Sequence, residues 1–240
     1  MRLSIVIPAF NEEAKIARDI EAAYEFLSAQ PFQSEVLIVN DGSRDKTVQV
    51  AEGHFPKSDK VQFRVLDYGQ NRGKGYAVRY GMKEAKGEIC AFVDAGLCVP
   101  YKYLLSGICE IENGADYAIA SRRIAGTKIN RTQPMYRKVG SKVFWYVVQW
   151  GMGVDVSDTQ CGFKLYSAKA AKMIFSRVKT DGFMFDIEAL IVAKKLGLKA
   201  AEFPIEWSND GDTRYHPVWG TIRNFKELSR IRIRSFATNG

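Results

Sequence analysis

Several short polar stretches of this sequence carry side chains able to do chemistry. FVDAGLCVPY (92–101) ends an apolar run on a single carboxylate, Asp94, with Gly96 and Cys98 just beyond it. NDGS (40–43) sets Asp41 beside a glycine and a serine after another apolar run. NRGKG (71–75) has the glycines and lysine of a phosphate-facing turn at a helix start, where unpaired N–H groups and the helix dipole favour anions. Its spacing matches neither a Walker A loop nor a dinucleotide fingerprint. SRR (121–123) supplies Arg122, DTQCGF (158–163) supplies Asp158, and FDIE (185–188) supplies Asp186 and Glu188. Arg137 and Ser141 are spaced i,i+4, so on a helix they share a face. Each stretch also has a plainer reading: Ser43 as a helix cap, Asp158 as a turn cap, Asp186 and Glu188 as partners of a helix start, and the arginines as solvated charge.

The elements that must position these residues are legible as a rhythm. Runs at 3–7, 35–39, 62–66, 88–93 and 116–120 read as strands, alternating with helical periods near 12–28, 44–53, 73–85 and 101–113. That alternation predicts a mostly parallel sheet covered by helices on both faces. Ligands of such sheets sit beyond the carboxyl ends of the strands, where these polar loops fall. Placed there, Asp41 would accept from the imide N–H of a uracil or the amino edge of a guanine.

After residue 121 the rhythm changes. A loop to about 134 precedes PMYRKVGSKVFWYVVQW, an aromatic and basic stretch of helical character. DTQCGFKLY follows, then helices near 168–176 and 184–196, strand-like LKAAEFPIEW, and a basic helix over 218–236. We read one domain with a C-terminal elaboration.

Composition narrows the function classes. The chain has 240 residues, 46% of them hydrophobic, enough for a sizeable core. Its formal net charge of +8 favours anionic partners, but nothing beyond charge speaks for nucleic acid. No N-terminal signal and no apolar run near the roughly 20 residues of a bilayer span is visible, so any membrane is expected to be met from one side. Cys90, Cys98, Cys109 and Cys161 lack metal-site pairing and read as buried core residues in a reducing, cytoplasmic setting.

Taken together, PAFNEE, NDGSRDKT, NRGKG, the acid ending the fourth strand, and SRR fall in an order that resembles family 2 glycosyltransferases. DTQCGFKLY followed by FMFDIEALIVAKKLG is similar, more narrowly, to dolichyl-phosphate β-glucosyltransferases, with dolichyl-phosphate mannose synthases as relatives. The resemblance covers roughly residues 2–207 and implies the α/β GT-A fold, with a nucleotide-sugar half (1–121) and an acceptor half (122–240). It implies an inverting transferase moving a hexose, glucose from UDP-glucose first, to a polyprenyl or dolichyl phosphate. GDP-mannose donors, hydroxyl acceptors and a decayed binding protein are the alternatives.

Residue by residue, the resemblance puts Pro8, Ala9, Asn11 and Glu12 in the nucleotide pocket with Asp41 at the base. Arg72 and Lys74 would lie by the nucleoside or diphosphate, and Arg214 in a loop over the donor. Arg122, Arg137 and Ser141 would hold the lipid phosphate, and Asp158 and Asp186 would lie in the catalytic region. Asp94 corresponds to the first acid of the family's Asp-x-Asp motif, which holds a divalent cation, Mg²⁺ or Mn²⁺. Here the second acid is Gly96, and Cys98 is too soft to replace it. One carboxylate can still anchor Mg²⁺ alongside substrate phosphates, with Asp158 or Asp186 as reserves. The basic tail is expected to meet a cytoplasmic membrane surface, gripping it reversibly or through a homo-oligomer, while the run Phe144, Trp145, Tyr146 and Trp150 has two readings, packing on the core, which is the favoured one, and dipping into the headgroup region.

Overall fold

All of β2 (Ser34–Asn40), and all of β1 (Leu3–Ala9) except Pro8, is buried, which requires a covering layer on each face of the sheet. The computed structural model, which describes residues 1–130, 152–208 and 217–237, contains both layers. The remaining strands are β3 (Val61–Asp67), β4 (Ile89–Val93), β5 (Tyr117–Ser121), β6 (Lys128–Ile129), β7 (Phe163–Ser167), β8 (Ala200–Pro204) and β9 (Glu206–Trp207). With β1 and β2, five of these form one seven-stranded sheet in the order β3-β2-β1-β4-β7-β5-β8, parallel except for β7. β6 and β9 pair separately.

The helices are α1 (Ile16–Ser28), α2 (Thr47–Gly53), α3 (Lys74–Glu84), α4 (Tyr103–Glu112), α5 (Ala168–Phe175), α6 (Phe185–Lys195) and α7 (Pro217–Ala237). Side chains alternate across each strand, so Ile5 and Ile7 point to one layer and Val6 to the other. Ile5 and Ile7 pack with Ile16, Ile20 and Leu27 of α1 and Leu104 of α4. Val6 belongs to a cluster that includes Val78 of α3, Ile174 of α5, Leu190 of α6 and Ile231 of α7.

The five expected N-terminal strands and four helices are all present. α1 starts at Ile16 rather than near 12, after a turn in which the Lys15 and Ile16 N–H groups donate to the Glu12 carbonyl. β7 is the element the sequence did not announce. FKLYS alternates acceptably for a strand, but its partners β4 and β5 lie far upstream, and its Lys164 is completely buried. Cys90 and Cys161 are buried as expected, whereas Cys98 is half-buried and Cys109 exposed. Arg131, Arg137, Ser141, the Phe144–Trp150 run, Arg214 and His216 lie outside the described residues.

Candidate active site

The carboxyl ends of β1 and β2 are knitted together by side chains. Asp41 N–H donates to the Ala9 carbonyl at 2.8 Å, next to half-buried Pro8. Asn11 N–H donates to Ser43 Oγ at 2.9 Å, Asn11 Oδ1 accepts from Arg44 N–H at 2.7 Å, and Glu12 N–H donates to Thr47 Oγ1 at 2.7 Å. Ser43 therefore holds the first loop and does not cap α2. Asp41 is 4% exposed and accepts from Tyr68 O–H (2.7 Å), Asn71 Nδ2 (3.0 Å), Arg72 N–H (2.7 Å) and Gly73 N–H (2.9 Å). Those donors occupy about the four lone-pair sites that a carboxylate offers. Instead of standing open to a base, Asp41 organises the β3–α3 turn, because a buried charge takes the nearest donors.

That turn also departs from the expected open anion site. Arg72 and Gly73 give their amides to Asp41, and Gly75 and Tyr76 N–H both donate to the Asp181 carbonyl, at 2.8 and 3.2 Å. Protein acceptors thus take four of the amides around the start of α3. Its side chains act instead. The Arg72 guanidinium lies 3.6 Å over the Tyr76 ring, and Lys74 Nζ reaches Asp94 Oδ1 at 2.7 Å. Burial disfavours the Lys74 charge, but Asp94 and Asp186 outweigh it and hold its pKa above the ordinary lysine value.

Asp94 sits on a braced loop. Its N–H donates to the Gly162 carbonyl at 2.8 Å, and Gly162 faces its carboxylate so closely that an added Cβ would fall 1.9 Å from Oδ2. Gly96 has φ +101°, a backbone region that favours glycine, and its N–H donates to both carboxylate oxygens of Asp19 at 3.0 Å. Asp19 is 1% exposed. Burial pushes its pKa up to about 6, although the Gly96 amide and Arg18 pull the other way.

Two ion pairs flank this loop. Arg122 forks onto Asp158, with Nε–Oδ2 at 2.7 Å and Nη2–Oδ1 at 2.9 Å, and its N–H adds a third bond at 3.0 Å. Burial pushes the Asp158 carboxyl up, but Arg122 more than offsets it and leaves the pKa below the ordinary value. Lys164, fully buried, pairs with Asp186 at 2.6 Å and donates to the Cys161 carbonyl at 2.7 Å. Burial raises the Asp186 pKa despite Lys164 and Lys74. Glu188 accepts from the Lys179 and Thr180 amides at 3.0 and 2.6 Å, ordering a loop instead of bonding its own helix start.

These parts meet. Asp94 and Arg122 line one hollow of about 110 Å³ together with Cys98, Gln160, Gly162 and Trp207, a space able to hold several waters. Asp41, Lys74, Asp94 and Arg122 all fall beyond the carboxyl ends of parallel strands, after β2, β3, β4 and β5 respectively.

The described residues offer no complete donor set for a metal ion held by the protein alone. Among the described residues no group of three His, Cys, Asp or Glu side chains converges. Asp94 already carries an ammonium, the next ligand position is Gly96, and the two reserve carboxylates are spoken for by Arg122 and Lys164. Two residues of this machinery escaped the sequence reading. Asp19 betrays itself only as an acid on the apolar stripe Ile16, Asp19, Ile20, Ala23 of α1. Lys164 is a cation on the inward side of an alternating strand.

Residues 4–175 match the model of the family described as "Glycosyl transferase family 2". The chain is 31% identical to a dolichyl-phosphate beta-glucosyltransferase of Drosophila melanogaster, covering 98% of this chain and 75% of the fly protein. It is 32% identical to one of Saccharomyces cerevisiae, covering 96% and 74%. In fold it is similar to glucosyl-3-phosphoglycerate synthase from Mycobacterium tuberculosis in complex with Mn²⁺, UDP-glucose and phosphoglyceric acid, with a TM-score of 0.72, 18% identity, and 96% of this chain and 79% of that one covered. A parallel sheet whose loops gather acids and cations at one rim, and a family match over most of its length, thus lead to the same conclusion: the chain belongs to glycosyl transferase family 2.

Proposed function

We propose that the protein moves glucose from UDP-glucose to the phosphate of a polyprenyl lipid of the dolichyl class, with inversion at the anomeric carbon. The observation that carries this reading is the shared hollow of Asp94 and Arg122, on a chain whose relatives over nearly their whole match are dolichyl-phosphate beta-glucosyltransferases. Residues 1–121 would hold the nucleotide sugar and 122–240 the acceptor. An oxygen of the lipid phosphate forms the new bond to the anomeric carbon as the bond from that carbon to the β-phosphate oxygen breaks, and its electron pair leaves on UDP. The attacking oxygen is already an anion at neutral pH, so no general base is needed. Rate then comes from positioning and charge.

In this scheme Lys74 and Arg72 face the diphosphate, and Asp41 fixes the turn that carries them. Asp158 aims Arg122, whose remaining N–H donors point the acceptor phosphate at the sugar. Asp186 neutralises Lys164 under the site and takes no proton. The family's Mg²⁺ or Mn²⁺ would have Asp94 as its one protein ligand, a poor fit for the reasons above. Peripheral attachment to a cytoplasmic membrane face is supported by α7, where Arg223, Lys226, Arg230 and Arg232 accompany exposed Phe225 and Ile233. No helix among the described residues is long and apolar enough to cross a membrane. A thermal-shift panel of UDP- and GDP-sugars tests the donor: UDP-glucose should raise the melting temperature and GDP-mannose should not. The reverse order would refute the reading.

A further inference from the structure

The donor side of the hollow presents a fixed ammonium at the carboxylate where the family pattern leads to a metal ion. We propose that Lys74 is the resident counter-charge for the donor diphosphate, so that the nucleotide sugar binds and reacts without a protein-held divalent ion. The inference rests on the UDP-sugar reading above and concerns how that same site handles charge.

Four features of the site converge on it. Lys74 is anchored at the first turn of α3, whose amides are tied to Asp181, and its Nζ is 2.7 Å from Asp94. The Phe92 and Phe183 rings lie 5.3 and 6.0 Å from that nitrogen, an apolar setting that strengthens its field at a bound phosphate. The position of the second metal-binding acid is Gly96, whose amide is turned into Asp19 and whose φ of +101° admits an ordinary side chain only under strain. Among the described residues no neighbouring acid compensates, since Asp158 and Asp186 are each held by a cation at 2.7 and 2.6 Å. A hard cation needs oxygen ligands, and among the described residues the one carboxylate available is shared with an ammonium.

Titration calorimetry with UDP-glucose, in EDTA and in Mn²⁺, tests the proposal on the intact protein. Wild-type affinity should agree between the two buffers within about threefold. Lys74→Met should lose about 10- to 100-fold in EDTA, the worth of a charge-assisted phosphate contact, and recover part of it in Mn²⁺ once Asp94 is released. Lys74→Arg, which keeps the charge, should remain insensitive to EDTA. A wild-type loss of about tenfold or more in EDTA, restored by Mn²⁺, would overturn the proposal. So would Lys74→Met binding as tightly as wild type in EDTA. Absence of UDP-glucose binding by the wild type in both buffers would be a different failure, of the donor reading itself, and the inference would fall with it.

Discussion

Replacing Asp158 with Asn separates what holds the site together from what performs the transfer. Asp158 is 2% exposed and takes three bonds from Arg122, while the Arg122 side chain is 27% exposed. Whichever way the Asn amide is turned, one fork of the guanidinium meets an N–H instead of an oxygen, and the paired charge is gone. Breaking a buried pair from one side costs about 3–5 kcal/mol; partial exposure of Arg122 lets water return, so about 3 kcal/mol is the expected loss. For a chain of 240 residues that is a drop in melting temperature of about 6–12 °C, at about 2–4 °C per kcal/mol. Turnover should fall as well, because Arg122 loses its aim. The double variant Arg122→Met/Asp158→Leu sharpens the distinction. It removes both charges and should recover most of the stability, since apolar replacements of buried pairs are commonly neutral or better, yet it should stay inactive. Scanning calorimetry and lipid-extract transfer assays read the two effects. A single variant melting within about 2 °C of wild type, or a double variant that turns over normally, would refute this account of Arg122.

Three further outcomes follow from the same geometry. Asp19 has a folded pKa of about 6, above the roughly 3.9 of an unfolded Asp, so the folded state binds the proton more tightly and its ionisation costs stability as pH rises through that window. Relative to Asp19→Asn, wild type should therefore lose roughly 2.4 kcal/mol between pH 4 and pH 7.5 in urea titrations, and a pH-independent difference would contradict the assignment. Gly162→Ala would put a Cβ 1.9 Å from Asp94 Oδ2, so it should abolish transfer while the fold survives; retained activity would show that the Asp94 position is not critical. Lys226→Glu with Arg230→Glu should weaken binding to vesicles containing phosphatidylserine by on the order of a hundredfold or more, each basic residue contributing about 1 kcal/mol, and an unchanged affinity would remove α7 from the membrane contact.

How much of this was readable in advance depended on the range over which the information lies. β1 to β5 and α1 to α4 were legible because apolar period is local, and a parallel sheet follows from alternating strand and helix. β7 was not, since its place between β4 and β5 is decided by pairing with distant residues. The site residues were found by type and order, but their partners were hidden. NRGKG reads as an open phosphate cradle until Asp181, a hundred residues on, is seen closing it. Asp158 and Asp186 read as free acids until Arg122 and Lys164 are found against them. Asp19, which braces the Gly96 turn, sits in a helix that otherwise reads as plain core packing.

The central claim is tested most directly by incubating the purified protein with radiolabelled UDP-glucose and a polyprenyl phosphate in detergent, then following label into the organic phase and determining the anomer formed. Glucose recovered as the β-linked lipid phosphate, with UDP released in equal amount and the product absent from Arg122→Met, is the predicted result. Label that stays in water, or that enters the lipid from GDP-mannose in preference, would contradict it.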